Sequence, residues 1–109
     1  MFWTWVRQIA PQGAKELIDS EGALVVDVRK PKDYLKSHVD GAVNVEVKTV
    51  AETLEGEDKD RPIVCYCYGG YASRQACKRL TKAGFRKVFS VNWGYWGWQR
   101  AFGKEDSLH

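Results

Sequence analysis

The chain has 109 residues, of which 44% are apolar and 28% charged, with a formal net charge of +3. That length supports one domain with its own core, and the apolar share excludes a disordered chain. Lys and Arg are interspersed with Asp and Glu rather than gathered together, which excludes a dedicated nucleic-acid binder and leaves a mild preference for small anions or an acidic partner. A single domain over 1–109, with its core over about 8–102, is expected.

In chain order, Trp5 to Ile9 predicts a short first strand. Pro11 suits the first turn of a helix, to which Ala14, Leu17 and Ile18 give one apolar side before Gly22 stops it. Ala23 to Val28 is a nearly continuous β-branched run, the pattern of a parallel strand buried on both faces. Pro31 opens a short helix over 32–36, and His38 to Ala42 turns the chain into a small strand around Val43-Asn44-Val45. Val47, Val50, Ala51 and Leu54 read as another helix, and a charged linker follows from Glu55 to Arg61. Pro62 to Tyr66 is the next buried strand. From Ser73 the apolar period becomes helical until Gly84. Phe85 to Val91 reads as a further strand, Asn92 to Gly97 as an aromatic loop, and Trp98 to Phe102 as a final helix. This alternation predicts an α/β fold: a central, mostly parallel sheet with helices on both faces.

Cys65, Cys67 and Cys77 fall within thirteen residues. An odd, clustered set does not make a secreted disulfide framework, so a reducing, cytoplasmic setting is expected. No stretch approaches the apolar length of a membrane span. Trp3 and Trp5 are read as cover for a sheet edge or as a contact surface. A monomer is expected, with these aromatics leaving a dimer open.

Cys67 is the principal candidate for chemistry. It ends a strand and is followed by Tyr68-Gly69-Gly70-Tyr71-Ala72-Ser73 and then a helix. Ligands of open α/β sheets gather at the carboxyl ends of strands. The glycines allow a tight turn whose amides converge, and the helix N-terminus favours a thiolate and an anion beside it. Cys65 is read as core, with a resolving role against an oxidised Cys67 as the alternative; Cys77 is read as core.

Other chemistries find no support. Cys65, Cys67 and Cys77 lack paired zinc-ligand spacing and His38 and His109 sit in no ligand pattern, so no metal is expected. Ser73 has no nucleophile elbow for a hydrolase. Gly69-Gly70 is neither a dinucleotide fingerprint nor a P-loop, and no cofactor is expected.

Over roughly residues 8–102 the chain resembles single-domain rhodaneses, the thiosulfate sulfurtransferase family. Four stretches carry the likeness: Leu24-Val25-Val26-Asp27-Val28-Arg29; His38-Val39-Asp40-Gly41-Ala42-Val43-Asn44-Val45; Cys67-x-x-Gly70-x-Ala72-Ser73 with Ala76 and Leu80; and Gly84-Phe85, Val88 and Trp93-Gly94-Tyr95-Trp96-Gly97-Trp98. The resemblance implies that Cys67 takes the outer sulfur of thiosulfate or a similar small anionic donor as a persulfide. Cyanide or a thiol, including one carried by a protein, then removes it. It also implies that the amides from Tyr68 to Ser73 hold the transferred sulfur, with Ser73 adding a hydrogen bond. Asp27 and Arg29 are expected to form an ion pair or hydrogen bonds fixing neighbouring loops, and His38 to fix a turn.

Two departures stand out. The family often has Arg where this chain has Ala72, which makes Arg74 the candidate substitute, with a solvent-facing Arg74 as the alternative. Trp93 stands where the first glycine of a pair is common; with Tyr68, Tyr71, Tyr95 and Trp96 it is expected to wall the pocket or to pack for stability. Two other functions compete. A non-enzymatic rhodanese-like interaction module usually lacks the cysteine. Phosphatases and arsenate reductases of similar fold carry Arg six residues after it, where this chain has Ser73.

Overall fold

A computed structural model describes residues 6–103. Its elements are β1 (Arg7–Ile9), α1 (Pro11–Glu21), β2 (Leu24–Asp27), α2 (Pro31–Lys36), β3 (Val43–Asn44), a 3-10 turn (Val47–Thr49), α3 (Val50–Thr53), β4 (Ile63–Tyr66), α4 (Tyr71–Lys82), β5 (Val88–Val91) and α5 (Gly94–Phe102). The strands form one five-stranded sheet in the order β1-β5-β4-β2-β3, and every pairing is parallel.

The burial pattern explains why the strands read as unbroken apolar runs. All four residues of β2 and all four of β4 are buried, because helices cover both sides of the sheet. Alternation sorts the side chains. Leu24, Val26, Ile63 and Cys65 join Ala76, Cys77 and Leu80 of α4 and Val50 at the start of α3. Val25, Val64 and Tyr66 face the other way and meet Ala14 of α1 and Tyr95 and Trp98 of α5. Pro11 and Pro31 stand at the starts of α1 and α2, and Gly22 closes α1 in the left-handed region with its N–H on Leu17.

Several boundaries shift by a residue or so from the sequence expectation, and four departures are larger. The helix expected over 47–54 splits into a 3-10 turn and four α-helical residues; Val47, Thr49, Val50 and Thr53 are β-branched and weak helix formers. α4 begins at Tyr71 rather than Ser73, because Gly70 at φ 120° reverses the chain in one residue. β5 begins at Val88, since the Phe85 N–H bonds to Leu80 O and its ring is buried in the α4-side core. The aromatic stretch read as a loop is the first turn of α5, which starts at Gly94. Trp3 and Trp5 lie outside the described residues.

Candidate active site

β4 delivers Cys67 to the carboxyl edge of the sheet, and the next three residues return the chain into α4. The turn folds the loop back on its own sulfur: the Gly70 N–H lies 3.0 Å from Cys67 Sγ, and the thiol reaches Ser73 Oγ at 3.4 Å. Ser73 Oγ donates to Gly70 O at 3.1 Å and lies 2.7 Å from Ser90 Oγ of β5. Cys67, Ser73 and Ser90 are all 2% exposed or less. α4 starts at Tyr71, so the helix's partly positive end and its first-turn amides, which have no intrahelical acceptors, face the same loop. Gly69 and Tyr71 are on the exposed side of the loop and Ala72 is half-buried.

Arg74 does not simply face solvent. Its Nη1 lies 3.7 Å from where a Cβ on Gly70 would stand, so the guanidinium folds back over the loop. There it lines a cavity of about 310 Å³ with Gln8, Gly69, Asn92 and Trp93. No ion pair holds Arg74 among the described residues.

α5 is fastened to the loop from the other side. The Tyr95 N–H donates to Cys67 O at 2.7 Å and the Trp96 N–H reaches Tyr68 O at 3.5 Å. This approach requires Gly94: a Cβ there would lie 2.4 Å from Cys67 O and 2.6 Å from Tyr68 O. Trp93, just before it, adopts φ 62°, the left-handed region where glycine is the natural occupant. Trp93 and Trp96 are exposed, whereas Tyr95 is buried and turns inward.

Asp27 and Arg29 sit behind the loop as a buried pair. The Asp27 carboxylate accepts from Arg29 N at 2.7 Å, from Arg29 Nη2 at 2.8 Å and from the Tyr66 hydroxyl at 2.6 Å. Burial opposes the Arg29 charge, but Asp27 outweighs it and the guanidinium pKa ends above its ordinary value. Arg29 also donates to Ser37 O at 2.6 Å and lies over the Tyr95 ring at 4.1 Å. Tyr66 accepts from the Val39 N–H at 3.1 Å; burial, then Asp27, raises its pKa. The unit thereby ties β2 and β4 to the 37–39 turn and to α5.

His38 Nδ1 donates to Tyr34 O at 2.7 Å and its ring stacks on Tyr34 at 3.9 Å, so its bonds stay on α2. Tyr68, next to the cysteine, reaches α2 as well. Its hydroxyl donates to Asp33 and accepts from the Lys30 N–H at 3.2 Å. Cys65 and Cys77 are buried together in the core on the α4 side; contact with Cys77, and then burial, raises the Cys65 thiol's pKa. Among the described residues no group of three or more His, Cys, Asp or Glu is arranged for a metal ion.

Three contributors escaped the sequence reading. Ser90 is a polar residue inside the otherwise apolar Val88–Val91 strand, and that interruption was the available signal. Tyr66 looked like any core aromatic. Asn44 stood within the second family-like stretch but was given no role; it holds the chain around the ion pair through 2.9 Å bonds to Asp27 O and Arg29 O.

The fold and the loop together define a small parallel α/β protein that presents a strand-end cysteine against the Gly70 amide and a helix N-terminus. Residues 10–101 match the Rhodanese-like domain family. The chain is 35% identical over 94 residues to the thiosulfate sulfurtransferase GlpE of Actinobacillus pleuropneumoniae serotype 5b (strain L20), covering 86% of this chain and 87% of that protein. It is 35% identical over 99 residues to the thiosulfate sulfurtransferase GlpE of Pseudomonas putida (strain KT2440), covering 91% and 90%. A rhodanese-like domain protein from Staphylococcus aureus shares the fold at TM-score 0.79 and 22% identity, over 94% of this chain and 97% of that one. The rhodanese-like domain from an Anabaena protein, solved by solution NMR, does so at TM-score 0.80 and 24% identity, over 91% and 77%. The chain belongs to the rhodanese-like family. No helix of the described residues is long and apolar enough to cross a membrane.

Proposed function

We propose that the protein is a sulfurtransferase, moving a sulfane sulfur from thiosulfate or a similar anionic donor to cyanide or a thiol through a persulfide on Cys67. The observation that carries this reading is the Gly70 N–H aimed at Cys67 Sγ from 3.0 Å, in a loop that also receives the N-terminus of α4. Such a setting stabilises negative charge on sulfur, first as a thiolate and then as a persulfide. The names of the GlpE relatives agree with this class of reaction.

In the first half-reaction the Cys67 thiolate attacks the outer sulfur of thiosulfate. A new S–S bond forms, the bond from that sulfur to the sulfonate group breaks, and its electron pair leaves with sulfite. In the second half-reaction cyanide or a thiolate attacks the terminal sulfur and Cys67 departs as thiolate. Arg74 is the cation for the donor, in place of the arginine that Ala72 does not supply, and the cavity it lines receives the sulfonate. Asp27, Arg29 and His38 position the surrounding turns and take no proton. Three free, buried cysteines suit a reducing compartment such as the cytoplasm.

The test is intact-protein mass after incubation with thiosulfate. Wild type gains the mass of one sulfur atom and Cys67→Ser gains nothing. A wild-type protein that gains no sulfur from thiosulfate or from an organic persulfide would overturn the assignment.

A further inference from the structure

Thiosulfate and cyanide are small, yet the surface around the Cys67 loop is built for something larger. The exposed large apolar side chains among the described residues are Leu35, Val43, Tyr68, Tyr71, Trp93 and Trp96. Four of these six border the loop, two from the loop itself and two from the start of α5. Exposed aromatic side chains gathered around one loop point to a binding surface. Trp93 adds a second indication. Holding an L-residue in the left-handed region costs about 1–2 kcal/mol, and burial does not offset it here, because the indole remains 67% exposed. Strain kept without a packing return points to use.

Trp93 and Trp96 meet edge to face, with centroids 6.2 Å apart, and three hollows share them. The first is the Arg74 cavity, walled by Trp93. The second, about 360 Å³, lies between Trp93 and Trp96 and reaches Pro11 and Arg100. The third, about 350 Å³, lies beyond Trp96 and is bordered by Tyr68, Lys36 and Gln99. Sharing the two indoles as walls, the three hollows make up a broken furrow beside the cysteine loop. Its flanks are cationic. Arg74 and Lys36 line it, and Arg100 lies over the Trp96 ring at 5.0 Å. Asp33 is the one carboxylate among the lining residues, and the Tyr68 hydroxyl engages it.

We infer that this furrow docks an extended, acidic polypeptide segment of a partner protein whose cysteine thiol takes the sulfur from Cys67; the inference rests on the sulfur-transfer reading above. An extended chain rises about 3.3 Å per residue and turns alternate side chains to one side, so it spans several hollows where a small thiol fills one. Its carboxylates meet Arg74, Arg100 and Lys36, and its apolar side chains lie on the two indoles. The thiolate of the segment forms the bond to the terminal sulfur, and Cys67 leaves as thiolate, so the exchange needs no outside oxidant or reductant.

The test loads the protein with thiosulfate, removes the donor and follows discharge of the sulfur by mass. The acceptors are cyanide, glutathione, a short acetylated peptide with one cysteine among glutamates and phenylalanines, and the same peptide with lysine for glutamate. The acidic peptide is expected to discharge wild type about tenfold faster than the lysine peptide. Arg100→Glu, which leaves the cysteine loop untouched, is expected to reduce that preference to about twofold or less without changing the cyanide rate. Equal rates for the two peptides, glutathione matching the acidic peptide, or an unchanged preference in Arg100→Glu would each overturn the docking inference. A protein that never loads sulfur overturns the sulfur-transfer reading instead. Docking is then read directly from fluorescence anisotropy of the labelled acidic peptide with serine for cysteine. Salt-sensitive binding that Arg100→Glu weakens supports the furrow, and no binding refutes it.

Discussion

The hydroxyls of Ser73 and Ser90 lie 2.7 Å apart directly beneath Cys67, and Ser73 is the only hydrogen-bond partner the described structure gives the Ser90 side chain. Ser73 has one proton and two places for it, Gly70 O and the cysteine sulfur. When the sulfur is a thiol it donates to Ser73, and Ser73 donates to Gly70. When the sulfur carries negative charge, the Ser73 proton can turn towards it while Ser90 continues to donate into the Ser73 oxygen. Bonds linked in this way strengthen one another. Ser90→Ala is therefore expected to slow alkylation of Cys67 by iodoacetamide about two- to tenfold, the worth of one net hydrogen bond. In a Ser73→Ala background the same change is expected to have no further effect. Additive losses in the two variants would contradict a shared chain.

Gly94→Ala is expected to be among the most damaging small substitutions in the protein. Its methyl would meet the Cys67 and Tyr68 carbonyls, which are backbone and cannot swing aside. A loss of about 3 kcal/mol or more in urea unfolding is expected, at the upper end of overpacking costs. Gly22→Ala is the control. That glycine also has positive φ, but nothing lies within 4 Å of the added carbon. Its loss is expected to stay near the left-handed penalty of about 1–2 kcal/mol.

The same penalty applies at Trp93, in the opposite direction. Trp93→Gly is expected to be more stable than Trp93→Ala by about 1 kcal/mol, the left-handed penalty less the entropic cost of glycine relative to alanine. Thermal melts of the two variants decide it.

Tyr66→Phe keeps the ring and removes the hydroxyl that joins Val39 N–H to Asp27. A buried amide and a buried carboxylate then each lose a partner, and a loss of about 1–3 kcal/mol is expected. The pH dependence has a definite sign. Because burial and Asp27 raise the phenol above its unfolded value, its contribution is complete below about pH 10 and is lost as pH rises beyond that. Urea midpoints of wild type are expected to fall across that alkaline range, and Tyr66→Phe is expected to lack this part of the fall.

At the surface, the Tyr68 hydroxyl lowers the pKa of the Asp33 carboxyl below its ordinary value. Tyr68→Phe is expected to raise the Asp33 titration midpoint, followed by carboxyl NMR, towards its ordinary value. The contribution of this bond is present above that value and lost as pH falls through the lower folded one. An Asp33 midpoint that does not move would show that the tether from the cysteine loop to α2 does not persist in solution.

These residues also show how far the sequence could be read. The unbroken apolar runs at Leu24–Asp27 and Ile63–Tyr66 announced a parallel sheet covered on both sides, because two-sided burial removes polar alternation. Gly69 and Gly70 marked the turn after Cys67, since few other residues allow the chain to reverse there. The first turn of α5 stayed hidden for the converse reason. Gly94 and Gly97 weaken its local helical signal, yet they are required by backbone contacts with Cys67, Tyr68 and Asn92, which lie beyond local pattern. Ser90 and Asn44 act through partners seventeen residues away, so no window along the chain joins them to their roles. The backward fold of Arg74 depends on its side-chain path, which residue spacing does not define.

The strand order bears on how the molecule behaves at high concentration. β1 and β3 form the two flanks of the sheet, and they have only three and two residues. Unpaired strand edges are where sheets of separate molecules zip together, and a flank this short offers few amides and carbonyls to a neighbour. Within the described residues the fully buried strands β2 and β4 are interior. The sheet is thus guarded against fibril-like stacking by the brevity of its borders.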